Sequence, residues 1–270
     1  MTETDTPADL PLSDRKDEDM PGHWLLARMG KRVLRPGGLE LTRHVLADAG
    51  LADADVVELA PGLGKTAADI LAAHPKSYVG VESDPAAVKL TTKVLKRRGT
   101  VVQADAANTG LRDDSRDVVV GEAMLTMQSE RGKDAIIAEA FRVLRPGGRY
   151  AVHELALEPD TLTDEQKTEI RKALARAIKV NARPLTEAEW RERFTAAGFE
   201  VERVRFARMA LLEPRRVVAD EGPFRTLKIV GNVATHSDAR RRILGMRKVF
   251  RKYRRELTAI EIIARKPADA

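Results

Sequence analysis

The sequence contains no cysteine, so disulfides, thiolate zinc sites and a cysteine nucleophile are excluded. Aromatic residues make up only 4% of the chain, and the core is therefore expected to consist mainly of Ala, Val, Leu and Ile. No apolar run approaches the roughly 20 residues that a membrane span needs. The acidic N-terminus also lacks the apolar segment of a secretory signal. Together these absences predict a cytoplasmic protein.

Charge is distributed unevenly along the chain. The net charge is +6, but residues 1–20 carry two basic residues against seven acidic ones. Residues 214–255 carry 13 lysines and arginines against three acidic residues. We predict a disordered acidic tail over 1–20 and a single domain over 21–270, in which 214–255 forms a basic helical insert. An anionic membrane surface is a candidate partner of this insert. RNA is disfavoured, because few aromatic residues are interleaved for stacking.

Strand-like runs alternate with helical ones from residue 55 onward. Because short β-rich runs that alternate with helices form parallel sheets with right-handed crossovers, this order predicts an α/β fold. The predicted strands are 55–60, 77–82, 100–105, 117–123, 149–157, 199–212 and 257–265. Helix starts are predicted at Asp84-Pro85, at Thr163 with Gln166 and at Thr186 with Glu189, from capping patterns.

A seven-residue sequence, Arg-Val-Leu-Arg-Pro-Gly-Gly, occurs twice, at 32–38 and at 142–148. A helix-like stretch follows the first copy and a strand-like stretch follows the second. We therefore interpret the repeat as chemistry that ends a helix, used twice, and not as an internal duplication.

A loop with two glycines joins the first predicted strand to the next helix: Glu58-Leu59-Ala60-Pro61-Gly62-Leu63-Gly64-Lys65-Thr66-Ala67. Glycine lets the backbone approach a ligand, and a helix N-terminus presents free N–H groups to an anion. A phosphate-binding loop is excluded, because it requires glycine where Leu59 stands. The dinucleotide fingerprint remains open. So does a methyltransferase loop, which has an acidic residue followed by small residues at alternate positions.

Acidic residues also stand at the ends of the next three strands. Glu82 can accept hydrogen bonds from two ribose hydroxyls, as it would in a nicotinamide enzyme too. Asp105 can accept from an adenine amine, and Glu122 closes the fourth strand. With the loop, these features resemble the class I S-adenosylmethionine-dependent methyltransferases over roughly residues 40–212. The closest likeness is to the branch (methyltransferase type 11) typified by ubiquinone- and menaquinone-biosynthesis enzymes.

The resemblance implies a Rossmann-like, seven-stranded, mostly parallel sheet with an antiparallel last strand, plus helical cap or lid elements. The cofactor core would span 40–157 and the lid helices 158–197. The implied cofactor is S-adenosyl-L-methionine, held by Glu58, Ala60, Gly62, Gly64, Glu82, Ser83, Asp105, Ala106 and Glu122. Ala60 departs from the family pattern, which has its first glycine there.

The methyl acceptor is predicted to be small and apolar or amphipathic. Met124, Met127 and Gln128 are candidates to contact it, because this segment often lines the acceptor site in the family; core packing is the alternative for the methionines. His153 is the candidate catalytic base, and a buried histidine held by a backbone carbonyl is the alternative.

No cluster of metal-ligating residues stands out, so metal-independent, in-line transfer is expected. Two other functions stay open. One is an RNA- or membrane-surface-binding protein with a nucleotide site, and the other is an NAD-dependent oxidoreductase.

Overall fold

Within residues 10–269, the part of the chain that the computed structural model describes, eight strands form one sheet. The strands are β1 (Asp55–Leu59), β2 (Ser77–Glu82), β3 (Thr100–Gln103), β4 (Arg116–Glu122), β5 (Leu144–Leu157), β6 (Leu185–Thr186), β7 (Glu200–Arg208) and β8 (Leu257–Arg265). Their order is β3-β2-β1-β4-β5-β8-β7, and β8 runs antiparallel to both of its neighbours. The predicted fold class, a mostly parallel sheet with an antiparallel last strand, is confirmed.

One short strand was not predicted. β6 pairs in parallel with Ala156 and Leu157 at the end of β5, whereas the last β5 residue that β4 pairs with is His153. A strand of two residues shows no alternation of apolar and polar positions, so no sequence pattern could have indicated it.

Ten α-helices and a short 3-10 helix (Leu125–Met127) complete the described part of the chain. The α-helices are α1 (Gly22–Arg28), α2 (Gly38–Ala49), α3 (Lys65–Ala72), α4 (Pro85–Leu95), α5 (Glu130–Val143), α6 (Asp164–Ile178), α7 (Glu187–Ala196), α8 (Pro214–Glu221), α9 (Pro223–Thr235) and α10 (Ser237–Lys252). The three predicted helix starts are confirmed. Asp84 accepts from two N–H groups of α4, and Thr163 and Thr186 form capping boxes.

The sheet is covered on both faces. In β1, Val56 belongs to a buried cluster with residues of α2 and α3, and the next residue, Val57, belongs to a cluster with residues of α5 and α7. Strands buried on both faces are apolar at successive positions, which is why β1 reads as a continuous Val-Val run. Glu58 follows this run as a buried carboxyl group near the end of β1.

Helices α1, α6 and α8–α10 pack together into a further layer, the helical cap. In it, Met246 of α10 is buried together with Leu25 of α1 and Met29, which follows α1. The three helices α8–α10 occupy the predicted basic insert. No helix among residues 10–269 is both long and apolar enough to cross a membrane.

Residues 10–20 correct the prediction of a disordered tail. They form turns that dock on α1, where Arg28 donates to the carbonyls of Ser13 and Arg15 and pairs with Asp17 at 2.7 Å. Met20 is fully buried. Asp17, one of the acidic residues of this segment, thus has an arginine partner on the next helix. The rest of the predicted tail, residues 1–9, lies outside the described residues.

Candidate active site

A cavity of about 520 Å³ opens at the carboxyl ends of the central strands. Glu58 and Ala60 line it from β1, Glu82 from β2 and Glu122 from β4. β1 pairs with β2 on one side and β4 on the other, so the strand order reverses beside it. Open α/β sheets bind their ligands at this point, and the volume is ordinary for a small-molecule site.

The two glycines of the loop after β1 have different roles. Gly62 and Gly64 adopt φ angles of +57° and +69°, in the left-handed region that favours glycine. Gly62 lines the cavity. Gly64 does not, and a Cβ there would lie only 3.1 Å from Val94 of α4, so it lets the loop pack closely on that helix. Ala60 has φ +53°, so the family's missing first glycine is replaced by a residue in a strained conformation.

Glu82 is held where it can accept further hydrogen bonds. Its Oε2 accepts the Gly62 N–H and its Oε1 accepts the Asp84 N–H, both at 3.1 Å. Each carboxylate oxygen can accept more than one bond, so capacity remains for a ligand. Burial raises the pKa of Glu82 above its ordinary value.

The predicted adenine end lies at the same cavity. Ser83, Asp105 and Ala106 all line it. Asp105 Oδ1 accepts the Ala107 N–H at 2.8 Å, which fixes the carboxylate and leaves its other oxygen for a ligand donor.

Glu122 and Arg35 form a buried ion pair at the cavity, with Arg35 Nε 3.0 Å from Glu122 Oε2. Thr42 donates to the other oxygen of Glu122 at 2.6 Å, and Thr66 bonds both partners of the pair. Burial opposes ionisation, but the charge of Arg35 and the bonds from His153 and Thr42 hold the pKa of Glu122 at about 2. A guanidinium held beside an ionised carboxylate therefore lies at the cavity wall.

Arg35 was not predicted to lie at the cavity, because it belongs to the first copy of the repeated seven-residue sequence, at 32–38, which was interpreted as the end of a helix. The first copy does not end a helix: α1 ends at Arg28, and α2 begins at Gly38, the last residue of that copy. Only the second copy, at 142–148, ends a helix, since α5 ends at Val143. The interpretation of the repeat as helix-ending chemistry is therefore wrong for 32–38, where Arg35 contributes to the cavity instead.

His153 is placed differently from the expected base. It is fully buried and is not among the residues that line the cavity. Its Nε2 accepts the Gly37 N–H at 3.1 Å, and its Nδ1 lies 3.0 Å from Glu122 Oε1. Both ring nitrogens are therefore engaged, and neither can reach an acceptor in this arrangement. The placement does not fit a catalytic base and suits a residue that positions Glu122.

Two further buried carboxylates line the cavity. Tyr78 donates its hydroxyl to Glu58 at 2.6 Å, and burial raises the pKa of Glu58 to about 8. Glu154 accepts N–H groups from Met124 and Leu125, at 2.7 and 2.5 Å, and the hydroxyl of Thr126. Glu154 therefore shapes the segment after β4.

The cavity has an apolar side next to the helical cap. Met124, Met127 and Gln128 line it, and Met124 also belongs to the core; their contact with the acceptor stays a prediction. The cap and the segment before α8 add apolar side chains: Leu26, Leu174, Ile178, Met209, Met246 and Phe250. Polar groups from the strand ends thus face an apolar wall across one cavity.

Known proteins with similar sequences include methyltransferases. The sequence model of the family described as "Methyltransferase domain" matches residues 57–152. A Haemophilus influenzae protein, named only as uncharacterized, is 34% identical over 255 residues, 92% of this chain and 99% of that one. A Mycobacterium leprae phthiotriol/phenolphthiotriol dimycocerosates methyltransferase is 30% identical over 155 residues, 57% of this chain and 51% of that enzyme.

The fold agrees as well. Haemonchus contortus phosphoethanolamine N-methyltransferase 2, solved in complex with S-adenosyl-L-methionine, is similar with a TM-score of 0.67 at 17% identity. The similarity covers 91% of this chain and 56% of that one. This chain belongs to the class I S-adenosylmethionine-dependent methyltransferases. The quinone-biosynthesis branch stays a prediction.

The cavity of the methyltransferase fits S-adenosyl-L-methionine, its cofactor. Glu82 retains acceptor capacity beside the loop, Gly62 leaves the backbone open to the cavity, and Arg35 supplies a cation. These groups suit a ligand that carries hydroxyls and a carboxylate. The nicotinamide alternative is set aside by the family.

Two residues of α1 at the methyltransferase cavity were also missed. Trp24 reaches the loop, because an ideal Cβ on Gly62 would lie 3.9 Å from the indole. His23 lines the cavity beside it, and burial lowers the pKa of His23 to about 4. No local pattern identifies these residues, since α1 reaches the cavity only through its packing in the cap.

Proposed function

We propose that this methyltransferase transfers the methyl group to a small apolar or amphipathic acceptor, without a metal ion. The observation that carries the proposal is the apolar wall that α6 and α10 place opposite the polar strand ends. Bound S-adenosyl-L-methionine supplies an electrophilic methyl group on a sulfonium. The residues of the cavity then have to align the acceptor with this methyl group and to exclude water. Alignment and the exclusion of water account for much of the reduction of the activation barrier in such reactions.

In this proposal, different polar residues of the cavity bind different parts of the cofactor. Glu82 accepts from the ribose hydroxyls, and Asp105 accepts from the adenine amine. Arg35 faces the carboxylate of the amino-acid end, where Glu122 and Thr66 hold its guanidinium in place. Glu58 is mostly protonated near neutral pH and serves that end through hydrogen bonding rather than charge.

A turnover screen with matched acceptors tests the proposal. Each acceptor is offered with and without an alkyl chain, and transfer of a labelled methyl group is measured in EDTA. We expect the alkylated member to have the higher kcat/KM, because its chain is buried against the apolar wall. A preference for the unsubstituted, polar members would contradict the acceptor class. Loss of turnover in EDTA that magnesium restores would contradict metal independence.

We also propose His23 as the proton acceptor when the substrate keeps its proton. His23→Asn is then expected to lower kcat by about tenfold, with unchanged affinity for S-adenosylhomocysteine. The effect is smaller than for a base with a pKa near neutrality, because the burial that lowers the pKa of His23 also weakens it as a base. His44→Asn, on the exposed side of α2, is the matched control. Because burial holds the pKa of His23 near 4, wild-type activity should stay level through neutral pH and fall only in acid. An unchanged kcat in His23→Asn would refute the assignment.

A further inference from the structure

Helix α9 presents an unusual apolar face to solvent. Phe224 is 90% exposed, Leu227 72% and Val230 57%, and they recur every third residue. The opposite side of α9 is anchored, because Ile229 is buried and the Asn232 amide donates to the Met29 carbonyl at 3.0 Å. The helix is thus held against the rest of the cap while its large apolar side chains point away from it.

Exposed apolar side chains concentrate on this part of the molecule. Among residues 10–269, seven large apolar side chains are exposed, and five of them lie on α8, α9 and α10. Besides the three on α9, they are Val218 on α8 and Leu244 on α10. Single exposed apolar residues are ordinary on a soluble protein, but a concentration of them marks an interaction surface.

The charges around these side chains are positive. Arg215, Lys228 and Lys248, one on each helix, are exposed and have no acidic partner in the described part of the chain. Residues 214–255 contain three acidic residues, and two of them, Asp220 and Glu221, have side chains only 1% exposed. They face inward and accept backbone N–H groups near the start of α2 and before it. Their negative charges therefore lie in the interior and not on the exposed surface of these helices.

We propose that the outer face of α8–α10, the docking face, binds an anionic lipid bilayer, with Phe224 and Leu227 inserted at the level of the headgroups. Amphipathic helices with apolar side chains and flanking lysine or arginine bind membrane surfaces in this way, and anionic lipids attract the cations. An RNA partner is disfavoured because Phe224 is the only aromatic residue exposed on these helices within the described chain. A second copy of the chain would bring like charges together.

The docking face includes α10, a helix that also lines the cavity. Met246 and Phe250 of α10 reach the apolar wall, whereas Leu244 and Lys248 of the same helix are exposed. Bilayer binding would therefore hold the cap, and the acceptor end of the cavity under it, close to the membrane. The docking proposal itself does not depend on the identity of the acceptor.

Vesicle sedimentation tests the proposal on the full chain. We expect binding to vesicles that contain phosphatidylglycerol and much weaker binding to pure phosphatidylcholine. Phe224→Ser with Leu227→Ser should weaken binding by about tenfold or more, since two inserted apolar side chains are lost. Arg215→Gln, Lys228→Gln and Lys248→Gln together should weaken it by more than about tenfold at low salt, and the difference should shrink as salt rises.

Two matched variants control for surface changes elsewhere. Phe206→Ser removes an aromatic residue that is 40% exposed on β7. Lys89→Gln, Lys96→Gln and Arg98→Gln together remove three exposed cations on and just after α4, beside the β3 edge of the sheet. Neither should change vesicle binding, and all variants should keep wild-type affinity for S-adenosylhomocysteine.

Three results would overturn the proposal. The first is vesicle binding that the variants of the docking face leave unchanged. The second is a concentration-dependent dimer, seen by analytical ultracentrifugation, that Phe224→Ser with Leu227→Ser dissociates while vesicles fail to bind. The third is binding of a labelled RNA without any binding of anionic vesicles.

Discussion

Glu82→Ala is expected to weaken the binding of S-adenosylhomocysteine by at least about 100-fold, whereas Glu58→Gln should change it by less than about threefold. A carboxylate that accepts two hydroxyls makes charge-assisted bonds worth about 1.5–3 kcal/mol each. Glu58 is different, because burial raises its pKa to about 8 and it already accepts the Tyr78 hydroxyl. Glutamine reproduces the shape and the acceptor of a protonated Glu58.

Isothermal titration calorimetry measures both effects. Glu82 also accepts the Gly62 and Asp84 N–H groups, so alanine disturbs the loop as well as the ribose site. Glu82→Gln is the milder change, because it keeps one of the two acceptor oxygens for the loop and loses the charge; we expect a loss of about tenfold. Equal, small losses in Glu82→Ala and Glu58→Gln would show that the ribose lies elsewhere.

Arg35→Met is expected to lower the free energy of unfolding by about 3–5 kcal/mol. The variant leaves Glu122 buried without its cation, and removing one partner of a buried ion pair has this cost. Arg191→Met is the matched control. Arg191 pairs with Glu187 on the exposed side of α7, where a pair one helical turn apart contributes about 0.3–0.5 kcal/mol.

The deficit of Arg35→Met should depend on pH. In the wild type, Glu122 has a folded pKa of about 2 against an ordinary value of 4.5, so its stabilisation is present above pH 4.5 and is lost as the pH falls toward 2. Without Arg35, burial is opposed only by His153 and the bond from Thr42, so the folded pKa of Glu122 should rise. The stabilisation that Glu122 contributes above pH 4.5 should therefore be smaller in the variant.

Urea unfolding of the cofactor-free protein at about pH 4 and pH 7 measures this dependence. The gap in unfolding free energy between Arg35→Met and the wild type should be larger at the higher pH. A deficit below about 1 kcal/mol, or one that does not change with pH, would mean that Glu122 and Arg35 behave like a solvent-exposed pair.

Local patterns predicted most of the sheet and the strand-end side of the site. The strands at 77–82 and 257–265 were predicted with the bounds that the structure shows. Of the predicted site residues, all but Gly64 and His153 line the cavity. Such signals lie within a few neighbouring positions: a Val-Val run, an acidic residue at a strand end, or a capping residue before a helix.

The sequence by itself determined the α/β alternation, the cofactor loop and the acidic strand ends, because each of these features depends only on residues that are near neighbours along the chain. Only the tertiary structure decided that His23, Trp24 and Arg35 reach the cavity and that His153 does not. Those placements depend on contacts between distant segments, such as the bond from Gly37 to His153 across 116 residues. Such contacts follow from how whole helices pack together, and packing leaves no periodic signal in the sequence.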